Sequence, residues 1–326
     1  MRSNAMFKRK TLAAFMALPV LFFLAGCGES GTFVAGGGTG GTGISTGVIT
    51  GFGSVIVNDV EFDVFGTLIT VNDNTAADSN LRLGMVAKIR GTFNPNGSTG
   101  VADLLDAENA VLGPISGFGP EVDSFTVLGQ KIFVNGKTVF DNNSISLPDL
   151  SGLVQGDIVE VYGLREIGGI RATRVEKKTP GQGGINVKGL VSNYTGQNTF
   201  NIGALLVTFT PPPPAGFDNG VFVEVEGIPN PNDSLSMTAT NIELEDEEDA
   251  EFNPKEGEEV EVEGFVSGFT SISHFFVNGK LVDASGARFE RGLASDLAND
   301  VRVEAEGVWT MIGGDLFLLA EEIEFE

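Results

Sequence analysis

The feature that most constrains this chain is an eight-residue segment written four times: GMVAKIRG at 84–91, GDIVEVYG at 156–163, GVFVEVEG at 220–227 and DVRVEAEG at 300–307. The copies alternate. One side takes Ala87/Ile89, Val159/Val161, Val223/Val225 and Val303/Ala305. The other takes Lys88/Arg90, Glu160/Tyr162, Glu224/Glu226 and Glu304/Glu306. A period of two with one apolar side predicts a strand with one face in a core and one in water. Its glutamates then need no chemical role, and the flanking glycine ends each copy.

Each copy sits inside a longer repeat. The repeats open with GVITGF at 47–52, GPISGF at 113–118, GLVSNY at 189–194 and GFVSGF at 264–269. They close with AENAV at 107–111, ATRVE at 172–176, ATNIE at 239–243 and AEEIE at 320–324. Turn chemistry agrees: Asn58-Asp59, Asn72-Asp73, Asn135-Gly136 and Asn278-Gly279 follow apolar runs and suit two-residue type I′ turns. No stretch after residue 46 has helical periodicity. Short helices are expected only near Ser146–Leu153 and Leu293–Asn299, just before the alternating segment. The tetraproline Pro211–Pro214 cannot join a central ladder and is expected to replace that connection in the third repeat.

Repeats of roughly 70 residues with five or six strands bury a core best by closing on themselves. Gly47, Gly113, Gly189 and Gly264 then kink a long first strand so that it serves both halves of a barrel. The expected fold is all-β, with tandem small OB-like β-barrels over 45–112, 113–178, 185–245 and 258–326. β-Sandwiches from paired repeats are the alternative. Repeats one and two abut and should pack rigidly. KKTPGQGG at 177–184 and EDEEDAEFNPKEG at 245–257 read as a flexible and an acidic solvated connector. Proteolysis there should leave a stable piece near 45–178.

The order G-x-[VI]-[ST]-G-F, F-x-V-L-G, G-D-x-V-E-V-x-G, A-T-R-[IV]-E resembles the bacterial domain-of-unknown-function family 5666. The second repeat carries the resemblance best, through Phe125–Gly129, Gly156-Asp157 and Ala172–Glu176. It covers nearly everything after residue 44. It implies tandem domains on a lipoprotein and brings no activity with it.

The N-terminus points the same way. Lys8, Arg9 and Lys10 precede an apolar run from Leu12 to Ala25, too short to span a bilayer. Leu24-Ala25-Gly26-Cys27 resembles the lipobox of bacterial lipoproteins, which implies a signal peptide at 1–26 and lipid attachment at Cys27. Gly28 after it favours the outer membrane. Residues 27–44, rich in Gly, Ser and Thr, read as a flexible tether. Cys27 is the one cysteine, so no disulfide staples the fold.

The chain holds 44 acidic and 20 basic residues. Such an excess repels phosphate backbones, which argues against nucleic acid as a partner. The single histidine, His274, is expected on a strand surface. No residue is assigned a catalytic, cofactor or metal role. Calcium could use the loops Asp73-Asn74…Asp78-Ser79-Asn80, Asp141-Asn142-Asn143 and Asn230…Asn232-Asp233, although turn chemistry explains the same residues. Phe52, Phe118, Tyr194 and Phe269 recur at one position and read as core plugs. Lys88 and Arg90 break the acidic pattern and are expected to dock on a glutamate-bearing neighbour. The expected function is a non-enzymatic outer-membrane lipoprotein whose barrels bind or scaffold an envelope protein or glycan. A carboxylate-based envelope hydrolase and a calcium-dependent adhesion module are the alternatives.

Overall fold

In the computed structural model the alternating segment forms the fourth strand of a closed five-stranded barrel, in all four copies. Residues 41–326 are described except 120–122, 143–144, 147–148, 180, 182–183, 246–251 and 314. Barrel one is Gly41–Gly51, Val55–Val57, Val60–Asp63, Val86–Phe93 and Thr99–Ala107. Its first strand pairs with the second and the fourth, the third runs parallel to the fifth, and the fifth returns to the fourth. This ring, in the order 1-2-3-5-4-1, is the OB arrangement. Barrel two (Val111–Phe118, Ser124–Val127, Gln130–Phe133, Ile158–Glu166, Gly169–Lys178) closes identically. So do barrel three (Asn186–Ser192, Thr199–Ile202, Leu205–Thr208, Phe222–Asn230, Asp233–Leu244) and barrel four (Glu259–Ser271, His274–Val277, Lys280–Asp283, Arg302–Ile312, Asp315–Phe325). The all-β, OB-like expectation is met.

The connection before the fourth strand behaves as read. Barrels one, two and four carry a short 3-10 turn there, at Asp78–Asn80, Leu150–Gly152 and Ala294–Asp296. Barrel three has the Pro211–Pro214 segment instead, with no helix. Asn58-Asp59, Asn72-Asp73 and Asn278-Gly279 adopt positive φ as type I′ turns require. Asn135-Gly136 does not: Asn135 accepts Lys137 and Thr138 amides in an ordinary turn. In barrel two the tight hairpin falls at Leu128-Gly129.

The glycine closing each segment does not end the strand. The register slips by one residue at Gly91, Gly163, Gly227 and Gly307, and the strand runs on. A Cβ at these positions would lie 2.2, 2.4, 2.4 and 2.1 Å from a carbonyl oxygen of the fifth strand. The glycine therefore admits a β-bulge that bends the strand around the barrel. Gly307→Ala is expected to cost about 1–3 kcal/mol by overpacking, read from the urea midpoint. Gly136→Ala is the control and should cost nothing, because its Cβ would meet open space at an ordinary φ.

The first-strand glycines act differently from the expected kink. Gly47 pairs without a break opposite Ala87. The irregularity comes later, between Ile49 and Gly51 and between Ile115 and Gly117. Gly47, Gly113, Gly189 and Gly264 instead leave room for the second hairpin: their Cβ atoms would strike Asn58, Leu128, Ile202 and Asn278. The recurrent aromatics also split. Phe52 and Phe118 are half exposed rather than core plugs, whereas Tyr194 packs edge-on to Phe217 and Phe269 lies on Phe275.

The barrels are not strung like beads. The first strands of one and four pair in parallel, Gly43–Thr46 beside Glu259–Val262. Those of two and three meet at Val111↔Val187 and Leu112↔Asn186. Two continuous sheets result, of 13 and 12 strands, and the cores of barrels two and three merge into one apolar cluster. Gly41–Ile44, expected as tether, are thus strand. The connectors at 177–184 and 245–257 join barrels already held by pairing, so cleavage there is not expected to free 45–178. The inward residues Ile89, Val159, Val161, Val223, Val225, Val303 and Ala305 are fully buried, as the alternation requires. The other face corrects the reading: Glu160, Tyr162 and Glu224 are also buried, because neighbouring barrels cover them.

Candidate ligand chamber

Where the four barrels meet they line an open chamber of about 1000 Å³. Equivalent pieces build its wall. The turn between second and third strands reaches it from barrel two at Gly129, from barrel three at Gly203-Ala204 and from barrel four at Asn278-Gly279. Barrel one contributes Val86 and Lys88 of its fourth strand and the junction Glu108–Ala110, and the Arg165–Gly169 hairpin of barrel two enters beside them.

At one side lies a buried ion cluster. Lys188 Nζ sits 2.9 Å from Glu108, 3.1 Å from Glu224 and 2.6 Å from Glu245, and Lys88 adds a 3.2 Å contact to Glu108. Burial works to raise Glu108, but the two lysines outweigh it and hold its carboxyl low. Burial, then the Glu108 charge, push Glu245 up. Burial opposes the Lys188 charge, and the three carboxylates overcome it. The cluster ties barrel one to barrel three. Sequence reasoning missed it, although Lys188 is the one cation between residues 185 and 245 and carried a signal there.

Arg165 is the second missed residue. Its guanidinium lies 4.9 Å over the Phe222 ring and donates to the Lys188 carbonyl. Among the described residues no carboxylate stands at ion-pair distance from it. Burial holds it down to about 10, against the pull of Glu245. Of the two cations singled out from sequence, Arg90 does dock on a neighbour, through Glu258 ahead of barrel four at 3.0 Å and 3.2 Å. Lys88 pairs within its own barrel.

Barrel four carries a second acidic feature. Glu261, Glu306 and Glu322 stand directly opposite one another on three adjacent strands, as do Glu263, Glu304 and Glu324. Like charges so placed repel. Arg302 neutralises Glu263, Arg288 bridges Glu290 and Glu322, and Arg291 reaches Glu324. Glu290, Glu322 and Glu324 cluster within 4.8 Å, a metal-like spacing that these arginines already occupy. Burial, then Glu259, Glu322 and Glu321, push Glu306 up to about 7. Its unfolded form ionises near 4.5, so stability is lost as pH rises from about 4.5 to about 7. Glu306→Gln should therefore raise the melting midpoint at pH 8, by on the order of 1 kcal/mol, and leave it unchanged at pH 4.

The loops weighed for calcium are occupied by their own turns. Asn80 caps the Ala77 amide, Asp78 the Ser79 amide, Asn230 that of Asn232 and Asp233 that of Leu235. Asp141 is bound by Arg174 at 2.7 Å. His274 is exposed on its strand, as expected. Cys27, the signal peptide, the tether up to residue 40 and Asn143 lie outside the described residues.

Residues 46–103 and 113–176 match the model of a domain of unknown function, DUF5666. These two stretches fall in barrels one and two. The matched stretches supply Lys88 and Arg165 to the chamber, and Glu108 lies between them. Barrels three and four repeat the same strand order beyond the matched region. No curated protein matches the chain. Among solved structures it is similar to drosophila Unr CSD456, at 12% identity over 62% of this chain and 96% of that one, with a TM-score of 0.20. A superposition that loose carries no argument.

Proposed function

We propose that this chain is a non-enzymatic, lipid-anchored protein of the outer membrane that binds a small ligand between its four barrels. The observation that carries the reading is the chamber, to which every barrel contributes. Its size lies at the upper end of small-molecule sites. Lipid attachment at Cys27 would place it at the envelope. The anchoring is tested by labelled palmitate, with Cys27→Ser as control. Label that persists in the variant refutes it.

Binding is tested by filling the chamber. Leu190 lines it and is more than half exposed, so Leu190→Trp adds bulk there without disturbing a core. The native protein, released gently from its membrane and weighed by mass spectrometry, should carry a small molecule that Leu190→Trp lacks. An unchanged mass in both proteins argues against a binding role. The hydrolase alternative is less well supported. Its carboxylate pair in the chamber would be Glu108 and Glu245, and Lys188 already holds both.

A further inference from the structure

We infer that the ligand is an amphipathic anion, an acid head on an apolar body, with the head held by Arg165. The inference rests on the chamber being a binding site and names the chemistry of what enters it. Three observations converge on it.

The first is charge. In a chain with more than twice as many acids as bases, this chamber is lined by Lys88, Lys131, Arg165, Lys188 and Lys280 against Asp106, Glu108, Glu166 and Glu245. Most of these charges are matched locally. Lys88 and Lys188 meet Glu108 and Glu245, and Glu166 meets Arg171 at 2.8 Å. Among the described residues Arg165 has no carboxylate at ion-pair distance, and Glu245 is the acid whose charge reaches it.

The second is geometry. A guanidinium offers five N–H donors in a rigid fork that matches a carboxylate, sulfonate or phosphate. Arg165 commits one terminal nitrogen to the Lys188 carbonyl and rests a face on Phe222. Both contacts orient the fork, and neither neutralises it. Arg165 is partly buried, with no carboxylate at ion-pair distance among the described residues, so its remaining N–H donors are open to an anionic head.

The third is the remaining wall. Ile44, Val86, Leu190, Val260, Val262 and Phe265 give the chamber an apolar lining beside Arg165. A hydrated inorganic anion would leave that lining unused. A chain or ring system carrying one acid group covers it and gains with each methylene buried.

The test uses the full chain carrying Cys27→Ser, so that no protein-bound acyl group competes. Decanoate and decan-1-ol, which differ in the charged head, are titrated by calorimetry. Decanoate should bind at least ten-fold more tightly than decanol. Arg165→Gln should abolish that preference and leave decanol affinity unchanged. Arg165→Lys, which keeps the charge without the fork, should retain only part of it. Equal binding of the two probes by the unsubstituted Arg165 protein, or a ten-fold preference surviving in Arg165→Gln, overturns the inference. Equal binding leaves the chamber standing as a site. If neither probe binds, and Leu190→Trp changes no bound mass, both the inference and the chamber reading fall. Should Arg165→Gln not fold, the decanoate-to-decanol ratio and Arg165→Lys decide the matter.

Discussion

Lys188→Met lowers the unfolding free energy by about 3–5 kcal/mol, the usual cost of removing one partner from a buried ion cluster. Methionine keeps the length and apolar stem of lysine, so little of that loss is packing. What remains is Glu108, Glu224 and Glu245 facing one another out of water, with Lys88 and the more distant Arg165 as the nearby cations among the described residues. The loss depends on pH in a defined sense. At pH 5 the carboxylates take up protons at little cost, and at pH 8 they must be protonated against the solvent or repel. Urea midpoints should therefore separate from the parent more at pH 8 than at pH 5. Adding Glu224→Gln and Glu245→Gln to Lys188→Met should recover much of the loss at pH 8. A loss that is the same at both pH values, and not recovered by the two glutamines, would show that Lys188 acts through its stem. Because the cluster bridges barrels one and three, the variant should also expose the amides of strand Asn186–Ser192 to exchange earlier than those of barrel four.

Tyr162→Ala costs a similar amount, about 3–5 kcal/mol, on the scale of large aromatic truncations in cores. Tyr162 belongs to barrel two in sequence, yet it is fully buried among the apolar residues of barrel one. Its hydroxyl accepts from Asn72 Nδ2 at 3.3 Å, and Asn72 also donates to Glu160 at 2.7 Å. Burial, then the Glu160 charge, hold the phenol well above its ordinary value, so it stays neutral. Tyr162→Phe removes one long hydrogen bond and should cost about 1 kcal/mol or less. The contrast separates packing from polarity, and urea unfolding of both variants measures it. An alanine variant as stable as the parent would mean that barrels one and two do not share that contact in solution. Thr173 Oγ1, which donates to the Gly84 carbonyl at 2.6 Å, supports the same junction.

Strand existence, strand faces, the barrel and most turns were legible in the chain because each is a local statement. A period of two, a glycine at a close approach and an asparagine at positive φ are visible within a dozen residues. The closing glycine was visible too, but its role was misread as a terminus. A bulge depends on what lies on the partner strand, and for Gly307 that is the Leu319 carbonyl. The candidate site was far less legible. Period two says that Val159 and Val161 face one way and that Glu160 and Tyr162 face the other. It cannot say that barrel one covers the second face.

Pairing of the four barrels was decided by the tertiary structure alone. Barrel one joins four, and two joins three, through the first strands. These contacts link residues far apart in sequence, such as the Val48 amide and Glu263 or Lys188 and Glu108. Once each barrel is closed, its outer face can be covered in several ways. Which way wins depends on shape and charge matching between surfaces, and no repeat period encodes that match. The chamber, the charge that Arg165 presents to it and the burial of Glu160, Tyr162 and Glu224 on the supposedly wetted face all follow from that matching. The sequence determined what each repeat becomes, and the packing of the four decided where a ligand can go.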